Sequence, residues 1–539
     1  MASAKYQLGS GMAGLLKDGY SSMSGLEMAI LKNIEACMQL GKVTRTSLGP
    51  NGMNKMVINH LEKLFVTSDA ATITTELEVV HPAAKMLVMA AKMQEHEHGD
   101  CTNFAITFAS ELLKNAEGLL RMGVHASDVI SGYKKASVAA LEMLSEIVCH
   151  TVTNVREKDA LEEALRAVVA SKQYGYEDIL ADCIAQACTN VIPPAPHTLA
   201  INTDNVRIAK LMGGNIHQTE VIKGMVVQRH PAGVVQRVEN AKVAVFGTSV
   251  EASQTETKGT VMLSSADELL NYNKSEENLL DEQIRGIKES GVDVIIAGGA
   301  ISQMALHFID RYELLVVKVT SKWELRRLCR AMGATAVVRL GPVSADEMGH
   351  CDLVESRMIG GNKCTIFSND KEGSRVSTVV LRSSTTNQID DLARAVDDGI
   401  ATTKTLCKDA RLLPGAGATE IELALRIAKL GESTPGLEQY AINKYAEAFE
   451  VIPKTLAENA GKDATSLVSS LYAAHKKGQV NAGVDIDEGS HVLDAHESKI
   501  YDTFASKLHA LRLASDAAIT VLRVDQIIMS KQAGGPKKK

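Results

Sequence analysis

Thr44-Arg45-Thr46-Ser47-Leu48-Gly49-Pro50-Asn51-Gly52-Met53-Asn54-Lys55 interrupts a helical pattern. Upstream, Leu26, Ile30, Ile34 and Cys37 form one apolar stripe over residues 23–40. Gly49-Pro50 and Gly52 then break the helix within four residues. A tight loop with two glycines lets backbone N–H groups approach a phosphate. The loop is not a Walker motif, because G-x-x-x-x-G-K-[ST] is absent. What it serves is decided by the sequence on either side.

At 539 residues the chain is too long for one hydrophobic core, and about three domains is the expectation. The net charge of −7 argues against a nucleic-acid protein, which needs a basic face. Aromatic residues make up only 4%, so stacking platforms for single strands are not expected either. Met outnumbers Phe 20 to 8, which fits core filling first and adaptable binding surfaces second. Nine cysteines, an odd number with no C-x-x-C pair, read as free thiols in a reducing compartment. Met1 to Tyr20 lacks a signal pattern and no run approaches a membrane span, so the expectation is a cytoplasmic protein with no membrane partner.

Downstream of the loop, Lys55–Ile58 and Leu64–Thr67 read as short strands, and residues 83–98, 104–122 and 126–148 as long helices. Residues 151–200 stay largely helical up to Pro193-Pro194-Ala195-Pro196. From about 220 the texture changes. Val243–Phe246, Val292–Ala297, Leu314–Val319 and Thr335–Leu340 are short apolar runs typical of buried strands, with helical stretches near 276–290, 302–311 and 321–332. Such alternation predicts a parallel α/β layer. A polar stretch over 250–282 interrupts it, and Val376–Leu381 adds a strand. From about 403 the chain is helical again, with a hairpin-like insertion near 478–500 and a breaker-rich tail, Gly534–Lys539. A second glycine cluster, Pro414-Gly415-Ala416-Gly417-Ala418, opens a helix in this last part. If both clusters serve one ligand, the two chain ends form one discontinuous domain and the α/β part is an insertion.

Three acidic positions carry candidate chemistry. Gly99-Asp100-Cys101-Thr102-Asn103 lies between two helices, where a helix start offers free N–H groups to an anion and Asp100 could hold Mg²⁺; taken alone, a capped turn is the simpler reading. Asp69 follows a strand and either orients a water or metal or caps a helix over 70–77. Asp397 and Asp398 are adjacent and do not share a helix face, so at most one enters a site; alone, they read as solvated surface. Glu95-His96-Glu97-His98 looks metal-like, but its histidines point apart, and a solvated helix end is expected. Cys183 and Cys188, without a second pair, read as buried thiols, and His350-Cys351, being sequence neighbours, are not expected to form a nucleophile pair.

Taken together, the glycine loop, Asp69, Gly-Asp-x-Thr, Asp-Asp, Pro-Gly-x-Gly-Ala and Gly483-Val484-Asp485 stand in the order and spacing of the group II chaperonins, and the chain resembles that family along essentially its whole length. Glu256-Thr257-Lys258-Gly259 and Leu522–Ile528 fit the same order. A narrower likeness, to one subunit type of the eukaryotic cytosolic chaperonin, rests on Ile58–Leu64, Asp69–Thr72, Ser171–Gly175 and Val524–Met529.

The resemblance implies a multi-domain α+β and α/β fold. A discontinuous, helical equatorial ATPase domain would span 1–150 and 403–530, a small intermediate hinge domain 151–219 and 371–402, and an α/β apical domain with a helical lid protrusion 220–370, leaving 531–539 as a flexible tail. It implies ATP/ADP and Mg²⁺ as ligands, seven paralogous subunits in a hetero-oligomeric double ring, and non-native clients such as actin and tubulin. Leu48, Gly49 and Gly52 would line the nucleotide, with Cys101, Thr102, Asn103 and Phe104 around the phosphates. Asp100 would bind the metal, and Asp69 and Asp398 would position and activate the attacking water. Ala170, Ser171 and Lys172 would lie near the γ-phosphate. Gly415, Ala416 and Gly417 would flank the nucleoside, with Asp502 and Asp485 along the ribose wall. Asp398 would sit in the hinge domain and reach the phosphate on closure. The chain departs from the family pattern at Cys101, where Gly is usual, and at Ala70, Asn103, Ser383 and Ala416. If position 101 requires positive φ, Cys is strained there; if it needs only a small side chain, Cys is tolerated. Slow hydrolysis or retained product is therefore expected. A scaffold subunit with little turnover is the second reading. A metabolic α/β enzyme using residues 290–340 is the third, and Gly298-Gly299 without G-x-G-x-x-G supports it poorly.

Overall fold

A computed structural model describes residues 21–23, 26–194, 197, 199–251, 265–369, 376–487 and 492–529. Glu256-Thr257-Lys258-Gly259, Met1 to Tyr20 and the tail from Gly534 lie outside the described residues. The chain divides into two compact units, one of residues 1–155, 159–181 and 394–539, the other of 156–158 and 182–393.

The first unit is mostly helical. The Leu26–Arg45 helix buries Ile30, Ile34 and Cys37, the stripe read from the sequence. It runs five residues past the expected end, to where Arg45 Nε and NH2 each bond, at 2.8 Å, Thr455 and Glu458 of the Val451–Asn459 helix. Both short strands fall where expected and pair antiparallel, turned by Asn59, whose Oδ1 accepts the Leu61 and Lys63 amides at 3.0 Å. The helices Pro82–His98, Thr102–Arg121, Ala126–Leu144, Glu438–Ala448 and Phe504–Leu522 share one apolar core. Few aromatics are present in the chain, yet several gather here. Phe108 stacks on Phe104 and meets the edge of Tyr445, with ring centroids 5.5 and 5.6 Å apart. Each such buried ring contributes about 1.5–3 kcal/mol. The two buried phenols are satisfied, Tyr133 by the Leu112 carbonyl at 2.8 Å and Tyr445 by Ser515 at 2.7 Å. The polar insertion is a hairpin of Ala482–Val484 and Val492–Asp494.

The second unit is built on a sheet of nine strands among the described residues. Its order is Val206–Met212, Ser377–Ser383, Glu220–Val227, Asn362–Ser368, Gly349–Ile359, Arg237–Phe246, Val294–Ala297 and Leu315–Lys318, with Ala336–Val337 paired to Arg237–Phe246. The expected parallel layer is only partly parallel. Arg237–Phe246, Val294–Ala297 and Leu315–Lys318 run parallel, whereas the pairings through Gly349–Ile359 and Asn362–Ser368 are antiparallel. The run Thr335–Leu340 yields only a two-residue strand, because it pairs with Val245 and Phe246, the last two residues of its partner. Helices Ala266–Glu289, Gln303–Arg311 and Lys322–Met332 accompany the sheet. Cys351 is buried within it, its thiol donating to the Ser368 carbonyl at 3.1 Å and pushed by burial to about 12, as a structural thiol should be. No helix among the described residues is long and apolar enough to cross a membrane.

Candidate functional site

The first unit contains a cavity of about 570 Å³. Leu48, Gly49, Asp100, Cys101, Thr102, Asn103 and Phe104 line it, as do Ala170, Ser171, Lys172, Ala416, Gly417, Asp485 and Asp502. The glycine loop forms one wall and folds on itself, with Met53 N–H donating to Thr46 O at 2.8 Å and Gly52 N–H to Gly49 O at 3.0 Å. A Cβ at Gly52 would stand 2.6 Å from the Ser47 carbonyl carbon, so glycine is required there by contact inside the loop; Gly52 itself does not line the cavity. Asn459 fixes the loop from outside by donating to the Leu48 carbonyl at 2.9 Å.

The opposite wall is the turn between two helices. Gly99 ends the Pro82–His98 helix, Asp100 follows, and Cys101 caps the Thr102–Arg121 helix at φ 64° and ψ 19°. The left-handed conformation is therefore real, and Cys101 occupies a backbone state that costs a non-glycine residue roughly 1–2 kcal/mol. Ala416 repeats the pattern at φ 54°, beside Gly417 at φ 81°. The first intrahelical bond is Ala105 N–H to Cys101 O at 3.1 Å, so the amides of Thr102, Asn103 and Phe104 have no partner in the helix ladder. Asn103 Nδ2 binds the Thr44 carbonyl at 3.0 Å, tying this helix start to the glycine loop. Burial, with Asp502 nearby, pushes the Asp100 carboxyl up. Burial does the same for the Cys101 thiol, which points at Asp100 Oδ2 from 3.7 Å.

Lys172 connects the cavity to two acids that do not line it. Its Nζ is 2.7 Å from Asp69 Oδ1 and 3.2 Å from Asp398 Oδ2. Of the two roles the sequence left open, Asp69 plays the helix cap, its other oxygen accepting the Thr72 amide at 2.9 Å at the start of the Ala70–Glu76 helix. Burial opposes its charge, but Lys172 and the Thr72 bonds win and hold the Asp69 carboxyl at about 2. Asp397 is exposed and Asp398 is 3% exposed, so one member of the acidic pair enters the site. Asp398 Oδ2 makes no well-angled hydrogen bond despite its distance to Lys172, and burial raises the group well above the carboxylate range. Asp398 belongs to the same compact unit as Asp69, Asp100 and Lys172. Burial works against the charge of Lys172 as well, yet Asp69, Asp398 and Glu95 keep its ammonium well above its usual range.

Glu95 corrects the expectation of a solvated helix end. His96 is exposed, but Glu95 Oε2 is buried without a partner, and burial, with Asp69 close by, lifts its carboxyl to about 7. A charge run with i, i+1 spacing hides such a residue, since one helix turn both exposes and buries. Reading also missed a second buried cation. Lys507, 6% exposed, holds Glu420 Oε1 at 2.6 Å and Asp502 Oδ2 at 2.8 Å, with its Nζ 4.5 Å from the Phe104 ring centroid. Lys507 and Glu420 both line the cavity. Gly415 stays outside the lining but bonds the Ile500 carbonyl at 2.9 Å, which places the glycine cluster against the chain leading to Asp502. Val484 N–H bonds Ala416 O at 2.8 Å and brings Asp485 to the same wall. Among the described residues no group of three or more His, Cys, Asp or Glu forms a ready metal site. A cation at Asp100 therefore needs oxygens from elsewhere, as Mg²⁺ commonly takes from phosphate.

The glycine loop, a helix start, the cations Lys172 and Lys507 and the carboxyl of Asp100 thus line one cavity of ligand size. A model of the TCP-1/cpn60 chaperonin family matches residues 40–532. The chain is 52% identical over 530 residues to T-complex protein 1 subunit theta of Arabidopsis thaliana, covering 98% of this chain and 96% of the relative. The identity to the human protein of the same name is 52% over 528 residues, with 98% and 96% covered. For the Dictyostelium discoideum protein it is 49% over 527 residues, with 98% of both chains covered. With a family match across most of its length and relatives this similar end to end, the chain belongs to the TCP-1/cpn60 chaperonin family.

Proposed function

We propose that this chaperonin chain is an ATP-hydrolysing subunit of a hetero-oligomeric double ring, built with seven paralogous subunits, that assists folding of non-native cytosolic proteins such as actin and tubulin. The helical first unit would contain the equatorial ATPase domain, with an intermediate hinge and an apical domain bearing a helical lid in the partition given above. Mg²⁺, when bound, would neutralise charge on the transferred phosphoryl group.

The residues fit a nucleotide with Mg²⁺. Leu48 and Gly49 offer a backbone cradle shaped by Gly52. Thr102, Asn103 and Phe104 present helix-start amides to phosphate oxygens. Asp100 would hold the metal. Lys172, extended from the Ala170-Ser171 turn, would meet the terminal phosphate, while Ala416, Gly417, Asp485 and Asp502 enclose the sugar side. Asp69 stays ionised and steadies Lys172. Asp398, whose carboxyl burial pushes upward, would act as a base for the attacking water in its ionised form.

The observation that carries this reading is the convergence on one cavity of the glycine loop, Asp100 at a helix start and Lys172. Calorimetry of Mg·ATP binding tests it. Wild type should bind with Mg²⁺ dependence, and Asp100→Asn should weaken Mg²⁺-dependent binding about tenfold, or ~1.4 kcal/mol. Binding by Asp100→Asn at wild-type strength would remove Asp100 from the metal site.

The left-handed Cys101 favours a second reading, a subunit that retains nucleotide and turns over slowly. Cys101→Gly removes the strained Cβ and the thiol beside Asp100. We expect it to speed nucleotide exchange about fivefold, the equivalent of ~1 kcal/mol. A stopped-flow release trace unchanged by the substitution would show that Cys101 does not set the rate.

A further inference from the structure

Gln94 lies in the Pro82–His98 helix and is 0% exposed. Its Nε2 donates to two main-chain oxygens, Asp100 O at 2.7 Å and Ser506 O at 3.1 Å. Its Oε1 accepts from His509 Nδ1 at 2.8 Å. Burial holds the His509 ring below its ordinary range, so near neutral pH the ring is uncharged and its one proton sits on Nδ1. The amide orientation is thereby fixed, with its carbonyl toward the imidazole and its NH₂ toward both backbone oxygens.

The Asp100 carbonyl belongs to the peptide that joins Asp100 to Cys101. A half-turn of that peptide would carry Cys101 from φ 64° into the ordinary negative-φ region. It would also withdraw the carbonyl from Gln94 and leave a buried donor short of an acceptor. We propose that Gln94 is a positioning residue whose amide locks the Asp100–Cys101 peptide in the left-handed state that cysteine resists. The Asp100 carboxyl and the first amides of the Thr102–Arg121 helix are thereby aimed into the cavity. The second acceptor, Ser506, adjoins Lys507, so the same amide ties the Asp100 wall to the wall carrying Asp502. With glycine at position 101 the lock would be largely superfluous; with cysteine it is required.

This inference rests on the nucleotide reading of the cavity. A double-mutant cycle on the full-length protein tests it, with Mg·ATP affinity as the readout. Gln94→Leu keeps the volume and removes both donors. It should weaken Mg·ATP binding about tenfold in the wild-type background and no more than about twofold in Cys101→Gly. Gln94→Leu losses that are equal in both backgrounds overturn the inference alone and make Gln94 a core filler. Failure of the wild-type protein to bind Mg·ATP overturns the nucleotide reading and this inference with it. If Gln94→Leu does not fold, His509→Ala, at a half-buried position, frees the amide from its orienting partner. It should cost about threefold in the wild-type background and nothing measurable in Cys101→Gly, and equal costs would again overturn the lock.

Discussion

Lys172→Met is expected to cost about 3–5 kcal/mol of stability at neutral pH and to abolish ATP turnover. Methionine matches the stem of lysine but carries no charge. Asp69 and Asp398, both nearly fully buried, would then face each other without a cation, with Glu95 beside them. Breaking a buried pair is costly because it leaves uncompensated charge, and here one ammonium serves two carboxyls. The pH dependence gives the sign. In wild type the folded Asp69 value lies below its unfolded one, so its contribution is present above about 4 and is lost as pH falls toward 2. In Lys172→Met the same carboxyl rises above its unfolded value, the native state binds more protons, and stability falls as pH rises. The gap in thermal midpoint between the two proteins should therefore be wide at pH 7.5 and narrow toward pH 5. A gap that does not change with pH would mean that Lys172 acts through packing alone.

Lys172 also marks how far the sequence could be read. The glycine loop, the strands Lys55–Ile58 and Leu64–Thr67, and the Asp100 turn were legible, because breakers and caps act locally. Pairing across long separations was not. Glu420 and Lys507 lie 87 residues apart, and nothing around either predicts that they share a buried bond. Glu95 was concealed inside a charged run in which the next residue, His96, faces water. The second unit was expected to be parallel because its first strands alternate with helices. The antiparallel strands Gly349–Ile359 and Asn362–Ser368 carry polar residues among the apolar ones and left no continuous hydrophobic run to find. Cys101 was flagged by type, but its positive φ had to come from the backbone.

Asp398→Asn should have the other large effect, and of the opposite kind. Because burial pushes the Asp398 carboxyl up, toward its uncharged form, and Lys172 keeps its pair with Asp69, asparagine is tolerated in shape and charge, and folding should change little. Chemistry should not survive, since the amide cannot take a proton from water. A positioned base contributes about 10²–10⁴-fold, so turnover should fall at least about a hundredfold. Nucleotide affinity should stay within about threefold, because Asp398 does not line the cavity and Lys172 keeps Asp69.

Single-turnover hydrolysis of ATP bound to this chain, by chemical quench in wild type and Asp398→Asn, tests this account most directly. The predicted result is ATP retained by both and slow conversion to ADP in wild type, with conversion in Asp398→Asn at least about a hundredfold slower. Equal conversion in the two proteins, or no ATP retained by wild type, would contradict it.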